Sequence, residues 1–124
     1  MELPVVNHPD YVAKINDDNK FPIKKFGALA EYLLKEGVVK KFYIPKECSI
    51  KTMQTSHSLE YINHIRNKSL DIKLQKKIGF PINDSVARRS FVATGGTVLA
   101  SKLALDTKLA CNTAGGSHHA TFDC

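Results

Sequence analysis

Residues 109–120 read LACNTAGGSHHA, so that a short apolar segment runs directly into two glycines and two histidines. The segment 109–113 predicts a buried strand, in which we expect Cys111 to lie inside. It follows the longest helical pattern of the chain. In a parallel sheet, ligands bind beyond the carboxyl ends of the strands, and this loop stands at such an end. The loop that carries His118 and His119 is therefore the first candidate for a functional site.

The rest of the chain alternates extended and helical patterns, which favours an α/β fold with a parallel sheet. We expect Ser56 or His57 to cap the helix whose apolar face is Leu59, Ile62 and Ile65. The predicted helices cover 23–36, 57–67, 70–78 and 84–107; the predicted strands or extended segments are 5–6, 38–44 and 109–113.

The longest predicted helix contains Gly95-Gly96 in its interior. Each glycine costs about 1 kcal/mol relative to alanine in a helix, so a neighbouring backbone is expected to approach closely there. Small residues extend the same ridge at three- and four-residue spacing: Ser90, Ala93, Thr97, Ala100 and Ala104.

Length and composition indicate a globular protein with one core. The chain has 124 residues, 43% hydrophobic and 24% charged, and lacks a run of about 20 apolar residues that could span a bilayer. The first residues lack the pattern of a secretory signal, so we expect a cytoplasmic protein without a membrane partner. Three cysteines without C-x-x-C spacing argue against a disulfide framework or a thiolate zinc site.

The net charge of +6 raises the question of a nucleic-acid partner. The basic doublets, however, are dispersed, have acidic residues nearby, and contain mostly lysine, whereas bidentate recognition of phosphate favours arginine. We interpret them as solvated surface, which argues against nucleic-acid binding. The doublets are Lys24-Lys25, Lys40-Lys41, Lys76-Lys77 and Arg88-Arg89.

The histidine pair itself suggests acid–base chemistry. Two imidazoles that titrate near neutral pH can divide proton transfer and electrostatic stabilisation between them. Gly115 and Gly116 would let the backbone come close to a substrate. Neighbouring residues of an extended chain point to opposite sides, so the pair is a poor metal site by itself.

Taken together, seven segments in order closely resemble the histone deacetylase superfamily, in particular its bacterial and class IV-like members. The resemblance covers nearly the whole chain, and the Gly-Gly-Ser-His-His-Ala string is its most specific part. The segments are residues 5–11 (VVNHPDY), 21–26 (FPIKKF), 57–62 (HSLEYI), 79–81 (GFP), 89–90 (RS), 95–97 with Ala100 (GGT), and 112–120 (NTAGGSHHA).

This resemblance implies a zinc-dependent amidohydrolase with the three-layer arginase/deacetylase fold, acting on acetyl-lysine or a related acetylated amine. His118 and His119 match the histidine dyad of the family, which hydrogen-bonds the metal-bound water and passes protons to the leaving amine. His8, His57 and His64 match no catalytic position.

The family pattern continues past the dyad with an Asp-x-His pair of metal ligands, a further Asp and an oxyanion donor, and these 124 residues contain no Asp-x-His. We therefore expect residues 1–124 to be the N-terminal part of a deacetylase-like domain, truncated after the His-His motif. Zinc is expected in the complete family enzyme and not in this chain alone, which is predicted to be inactive. A complementing C-terminal polypeptide is the implied partner.

Two alternatives remain open from the sequence. The chain could be a non-catalytic binding module, or the relic of a split gene, whose basic surface takes an acidic partner. It could also be a small hydrolase that uses His118 and His119 without metal, although Ser117 beside His118 is adjacency in sequence and not a recognisable nucleophile arrangement.

Overall fold

The computed structural model describes residues 2–124, which form five helices around a small parallel sheet. The elements are β1 (Val5–Val6), a 3-10 turn (Pro9–Tyr11), α1 (Lys25–Lys35), α2 (Ile50–Met53), α3 (Leu59–Arg66), α4 (Ile72–Ile78), α5 (Asp84–Thr107) and β2 (Cys111–Asn112). Two parallel strands connected through helices are compatible with the α/β class expected from the sequence.

The sheet joins the two ends of the chain. β1 and β2 pair in parallel, with Val5 opposite Cys111 and Val6 opposite Asn112. On the other side of β1, Tyr43 makes a parallel bridge to Val6. This single bridge is the only strand pairing in the segment 38–44, which the sequence predicts to be extended. The outer edge of β2 has no strand partner within residues 2–124.

The sequence predicts a buried strand over 109–113 with Cys111 inside; a strand does form there, but the predicted burial is wrong. β2 is two residues long, Cys111 is exposed, and Leu109 is 70% exposed. Successive side chains of a strand point to opposite faces, and Asn112 points towards α5, where its amide reaches Ala93 O and Thr97 Oγ1. Cys111 therefore lies on the other face, which is left open.

The caps set the limits of the predicted helices. α3 is capped by Ser58, whose hydroxyl accepts from Tyr61 N, and not by Ser56 or His57. The His57 ring is instead 2.8 Å from Thr121 O. α5 begins at the cap Asn83, whose side chain accepts from Val86 N.

The apolar faces are narrower than predicted. In α3, Ile62 and Ile65 are buried whereas Leu59 is exposed. In α1, where helical spacing of the apolar residues predicts that Phe26, Leu29 and Ala30 share one face, Phe26 and Ala30 are buried whereas Leu29 is exposed. Among residues 2–124, no helix combines the length and the apolar composition needed to cross a bilayer.

The two glycines of α5 mark the close approach that the sequence predicted. A Cβ at Gly95 would overlap the carbonyl oxygen of Lys46, and one at Gly96 would overlap the Tyr11 hydroxyl. The chain that crosses α5 at Gly95 is held there by a hydrogen bond from Cys48 N to Phe91 O, 2.9 Å long. The cost of glycine in the helix is thus offset by contact with segments distant in sequence.

Candidate functional site

A cavity of about 340 Å³ lies between α3, the middle of α5 and the loop that follows β2. Its walls are largely apolar, with a few polar groups that converge from three elements. The lining residues are Met53, His57, Tyr61, Ile62, Ile65, Arg89, Ser90, Phe91, Ala93, Thr94, Thr97, Val98, Gly115, Gly116, Ser117, His118 and Ala120. Residues 115–120 are called the histidine loop below.

His118 lines this cavity. Its Nε2 is buried and has no hydrogen-bond partner within residues 2–124, while its Nδ1 is 3.2 Å from the Ser117 hydroxyl oxygen. Burial lowers the pKa of the His118 imidazole below its ordinary value; the nearby backbone of Cys124 acts against this shift, and the positive charge of Lys77 acts with burial. A neutral imidazole with an unused ring nitrogen can accept a proton from a group that enters the cavity.

His119 is exposed and does not line the cavity, so the structure brings only one of the two predicted histidines to it. Gly115 and Gly116 both line the cavity. A Cβ at Gly115 would meet nothing within 4 Å, and one at Gly116 would make an ordinary contact with His118 O. Neither glycine is therefore required by crowding within the described chain.

Arg89 is a cavity residue whose role the sequence analysis missed. The basic doublet Arg88-Arg89 predicts two solvated side chains, but only 6% of Arg89 is exposed. Its Nε donates to Tyr11 O at 2.8 Å and its Nη2 to Gly115 O at 3.0 Å. Helical spacing could have predicted this burial, because Arg89 lies three residues after Val86 and three before Val92, and both valines are buried.

The strand end that leads into the histidine loop is fixed by a second contact. The Tyr11 hydroxyl donates to Asn112 Oδ1 at 2.8 Å, directly beside Gly96. Burial raises the pKa of Tyr11 to about 12, so its hydroxyl keeps its proton at neutral pH and remains a donor. Tyr11 thus bonds Asn112 through its side chain and Arg89 through its carbonyl.

The described residues do not form a zinc site by themselves. Structural and catalytic zinc sites take three or four converging ligands from His, Cys, Asp or Glu side chains. Within residues 2–124 no group of three or more such side chains converges, and only His57 and His118 line the cavity.

A titration prediction follows from the burial of His118. Because its folded pKa lies below the ordinary value of 6.5, the unfolded chain binds more protons as the pH falls through that value. The stability that the folded chain gains by holding His118 neutral is present above about pH 6.5 and is lost as the pH falls further. Thermal unfolding between pH 7 and 5 should therefore show a decline in Tm that is smaller in His118→Asn.

His119→Asn is the matched control, because this neighbour is exposed and outside the cavity. It should keep the decline of the original chain. An identical decline in the original chain and in His118→Asn would contradict the burial of His118.

Comparison with known proteins gives two kinds of match. A model of the histone deacetylase domain matches residues 20–123. An uncharacterized protein of Picosynechococcus sp. is 41% identical over 122 residues, covering 97% of this chain and 41% of that protein. Histone deacetylase 2 of Arabidopsis thaliana is 27% identical over 119 residues, covering 83% of this chain and 29% of that protein. The chain thus spans less than half the length of these curated relatives.

Proposed function

The chain belongs to the histone deacetylase family, and from this we propose that it supplies the proton-transfer side of a deacetylase active site. The substrate class is an acetylated amine of the acetyl-lysine type, cleaved at its amide bond. The observation that carries the proposal is the buried, unpartnered Nε2 of His118 beside a cavity with mainly apolar walls. His118 and His119 are the proposed counterparts of the family's histidine dyad.

Within this chain, each cavity residue has a definable task. His118 would accept at Nε2 the proton of the water molecule whose oxygen attacks the acetyl carbon, and would give that proton to the amine nitrogen as the amide bond breaks, so that acetate and the free amine are formed. The apolar side chains of α3 and α5, among them Ile62 and Phe91, would exclude bulk water from the reacting amide while one water molecule reacts with it. Gly115 and Gly116 add no side chain to the loop and leave room for a substrate at the cavity wall.

The zinc of the family has no ligand set within the described residues. We propose that residues 1–124 act as the N-terminal part of a deacetylase-like domain of the three-layer arginase/deacetylase fold. The metal ligands and the oxyanion donor would come from polypeptide outside these residues. This polypeptide would be either a continuation of the chain or a separate complementing partner.

The open edge of β2 supports this arrangement. A parallel strand with one free edge presents unpaired backbone N–H and C=O groups, and parallel sheets are ordinarily covered on both faces. Cys111 in β2, Leu109 just before it and Leu105 in the last turn of α5 are exposed. Further strands of the domain would cover these side chains and continue the sheet beyond β2.

The test is a fusion of residues 1–124 to the part of the Picosynechococcus relative that lies outside the match. With zinc added, we expect the fusion to release acetate from an acetyl-lysine peptide, and the 124-residue chain alone to release none above the uncatalysed background. On this proposal the fusion would supply the metal ligands, whereas the described residues 2–124 hold no group of side chains that could bind a metal to polarise the amide carbonyl. The same fusion with His118→Asn is the control: activity that persists in it comes from the added part and not from His118.

An inactive fusion that folds and binds one equivalent of zinc would contradict the proposed function. Deacetylation by the 124-residue chain alone would contradict the proposed division of the site. The alternative of a basic binding module gains no support from the Arg88-Arg89 doublet. Arg88 pairs with Asp10 and Glu47, and Arg89 is buried.

A further inference from the structure

Arg89 is a buried cation without a carboxylate. Within residues 2–124, Asp and Glu side chains make no ion pair with it, although its neighbour Arg88 has two. The guanidinium carbon lies 4.7 Å from the centre of the Phe26 ring and 5.6 Å from that of Phe21. Two backbone carbonyls and two aromatic faces therefore compensate the buried charge. Such an environment fixes the direction of the guanidinium closely.

The histidine loop has few other restraints on its backbone. Within the described residues, the bond from Arg89 Nη2 to Gly115 O is the only hydrogen bond that ties the backbone of residues 115–120 to another element. Gly115 also offers no side chain to pack against a neighbour. Arg89 thus fixes the start of the loop at Gly115, whereas contacts from His57 to Thr121 O and from Ser58 N to Phe122 O hold the chain just beyond the other end of the loop.

The other bond of Arg89 leads back to the sheet. Tyr11, whose carbonyl accepts from Arg89 Nε, is fully buried and bonds Asn112 at the other end of the same loop segment. Arg89 therefore spans two backbone carbonyls that are 104 positions apart in sequence, Tyr11 O and Gly115 O. A planar guanidinium can bond both at once from Nε and Nη2, whereas the ammonium of lysine lacks this fork.

We propose that Arg89 is a positioning residue, which fixes Gly115 O and thereby holds His118 with its Nε2 in the cavity. This proposal rests on the proposed function for its role in catalysis, but its geometric part concerns the 124-residue chain alone. Arg89 itself has no proposed contact with the reacting atoms. Its effect on the reaction would pass entirely through the histidine loop.

The experiment follows the His118 imidazole by NMR in the 124-residue chain, with its signal assigned by comparison with His118→Asn. In Arg89→Met the loop loses its tether, so we expect the pKa of His118 to rise towards the ordinary value as the ring becomes more exposed. Arg89→Lys keeps the positive charge and one donor group, so the His118 pKa in this variant should fall between those of the original chain and of Arg89→Met. The other charged or titratable groups near His118, namely Cys124, Lys77, His119 and His57, are the same in all variants. Arg89 lines the same cavity and its positive charge is lost in Arg89→Met, so the rise in Arg89→Lys, which keeps that charge, is the part that reports the lost tether.

Arg88→Met is the matched control, since it removes the adjacent arginine from the surface and should leave the His118 titration unchanged. If Arg89→Met does not unfold cooperatively, the comparison is made with Arg89→Lys. A folded Arg89 variant in which His118 titrates as in the original chain would overturn the proposal. A shift in Arg88→Met of the same size would overturn it as well.

A second readout uses the active fusion and separates this proposal from the proposed function. Arg89→Lys should lower kcat by about tenfold or more with a smaller change in KM, because a displaced proton acceptor impairs the chemical step. An inactive fusion would count against the proposed function and leave the NMR result as the test of Arg89. An active fusion with unchanged kcat in Arg89→Lys and Arg89→Met would overturn the positioning role.

Discussion

Gly95→Ala is expected to lower the free energy of unfolding of the chain by about 2–3 kcal/mol, because the new methyl group meets backbone. The added Cβ would overlap the carbonyl oxygen of Lys46 and come within 3.0 Å of Cys48 N. The crossing segment would have to move, and the hydrogen bond from Cys48 N to Phe91 O would be strained or broken. This loss outweighs the gain of about 1 kcal/mol that alanine brings to a helix interior.

The measurement is urea unfolding followed by circular dichroism, compared across three glycine variants. Gly96→Ala should cost less than Gly95→Ala, because its new Cβ meets side-chain atoms of Tyr11 and Asn112 and not backbone. Gly115→Ala is the control, with open space around the new Cβ, and should change stability by less than about 1 kcal/mol. Equal midpoints for Gly95→Ala and the original chain would show that the crossing is not tightly packed.

His118→Asn in the active fusion is expected to lower kcat by about 100-fold or more, the range in which positioned acid–base groups contribute. The substrate should still fill the cavity, so KM should change less than kcat. The loss at His119→Asn should be smaller, because His119 is exposed while His118 lines the cavity. The assay is initial-rate acetate release from an acetyl-lysine peptide.

The control for this prediction is His64→Asn, a half-buried histidine of α3 that does not line the cavity and whose Nδ1 lies 2.8 Å from the Ser69 hydroxyl oxygen. It should leave kcat unchanged. Activity within threefold of the original in His118→Asn would remove His118 from the proposed machinery. A larger loss at His119 than at His118 would show that the completed domain turns the histidine loop relative to the arrangement seen here.

Much of the fold followed from local patterns. The helices around Phe26, Ile62 and Val92 were predicted to within a few residues, since apolar spacing and turn-forming residues act over one or two helical turns. Gly95-Gly96 also predicted its close approach correctly, because two glycines in a helix need compensation from outside it. The family was recognised from the order of its motifs, and the domain match over residues 20–123 confirms it.

Burial was harder to predict where it depended on a distant partner. Cys111 was expected inside and is exposed, since no described element covers that face of β2. Arg89 was expected in water and is buried, because Phe26, Tyr11 and Gly115 meet around it from three separate parts of the chain. Neither environment is encoded in the few residues on either side.

By itself, the sequence determined the membership in a family, the helical segments and the pair of histidines at the end of a strand. The tertiary structure alone decided that His118 lines the cavity while His119 stays outside it. It also decided that Arg89, in α5, bonds the histidine loop at Gly115 O. The physical reason is that spacing along the chain fixes which residues share a face. Which face is then buried depends on contacts between residues far apart in sequence.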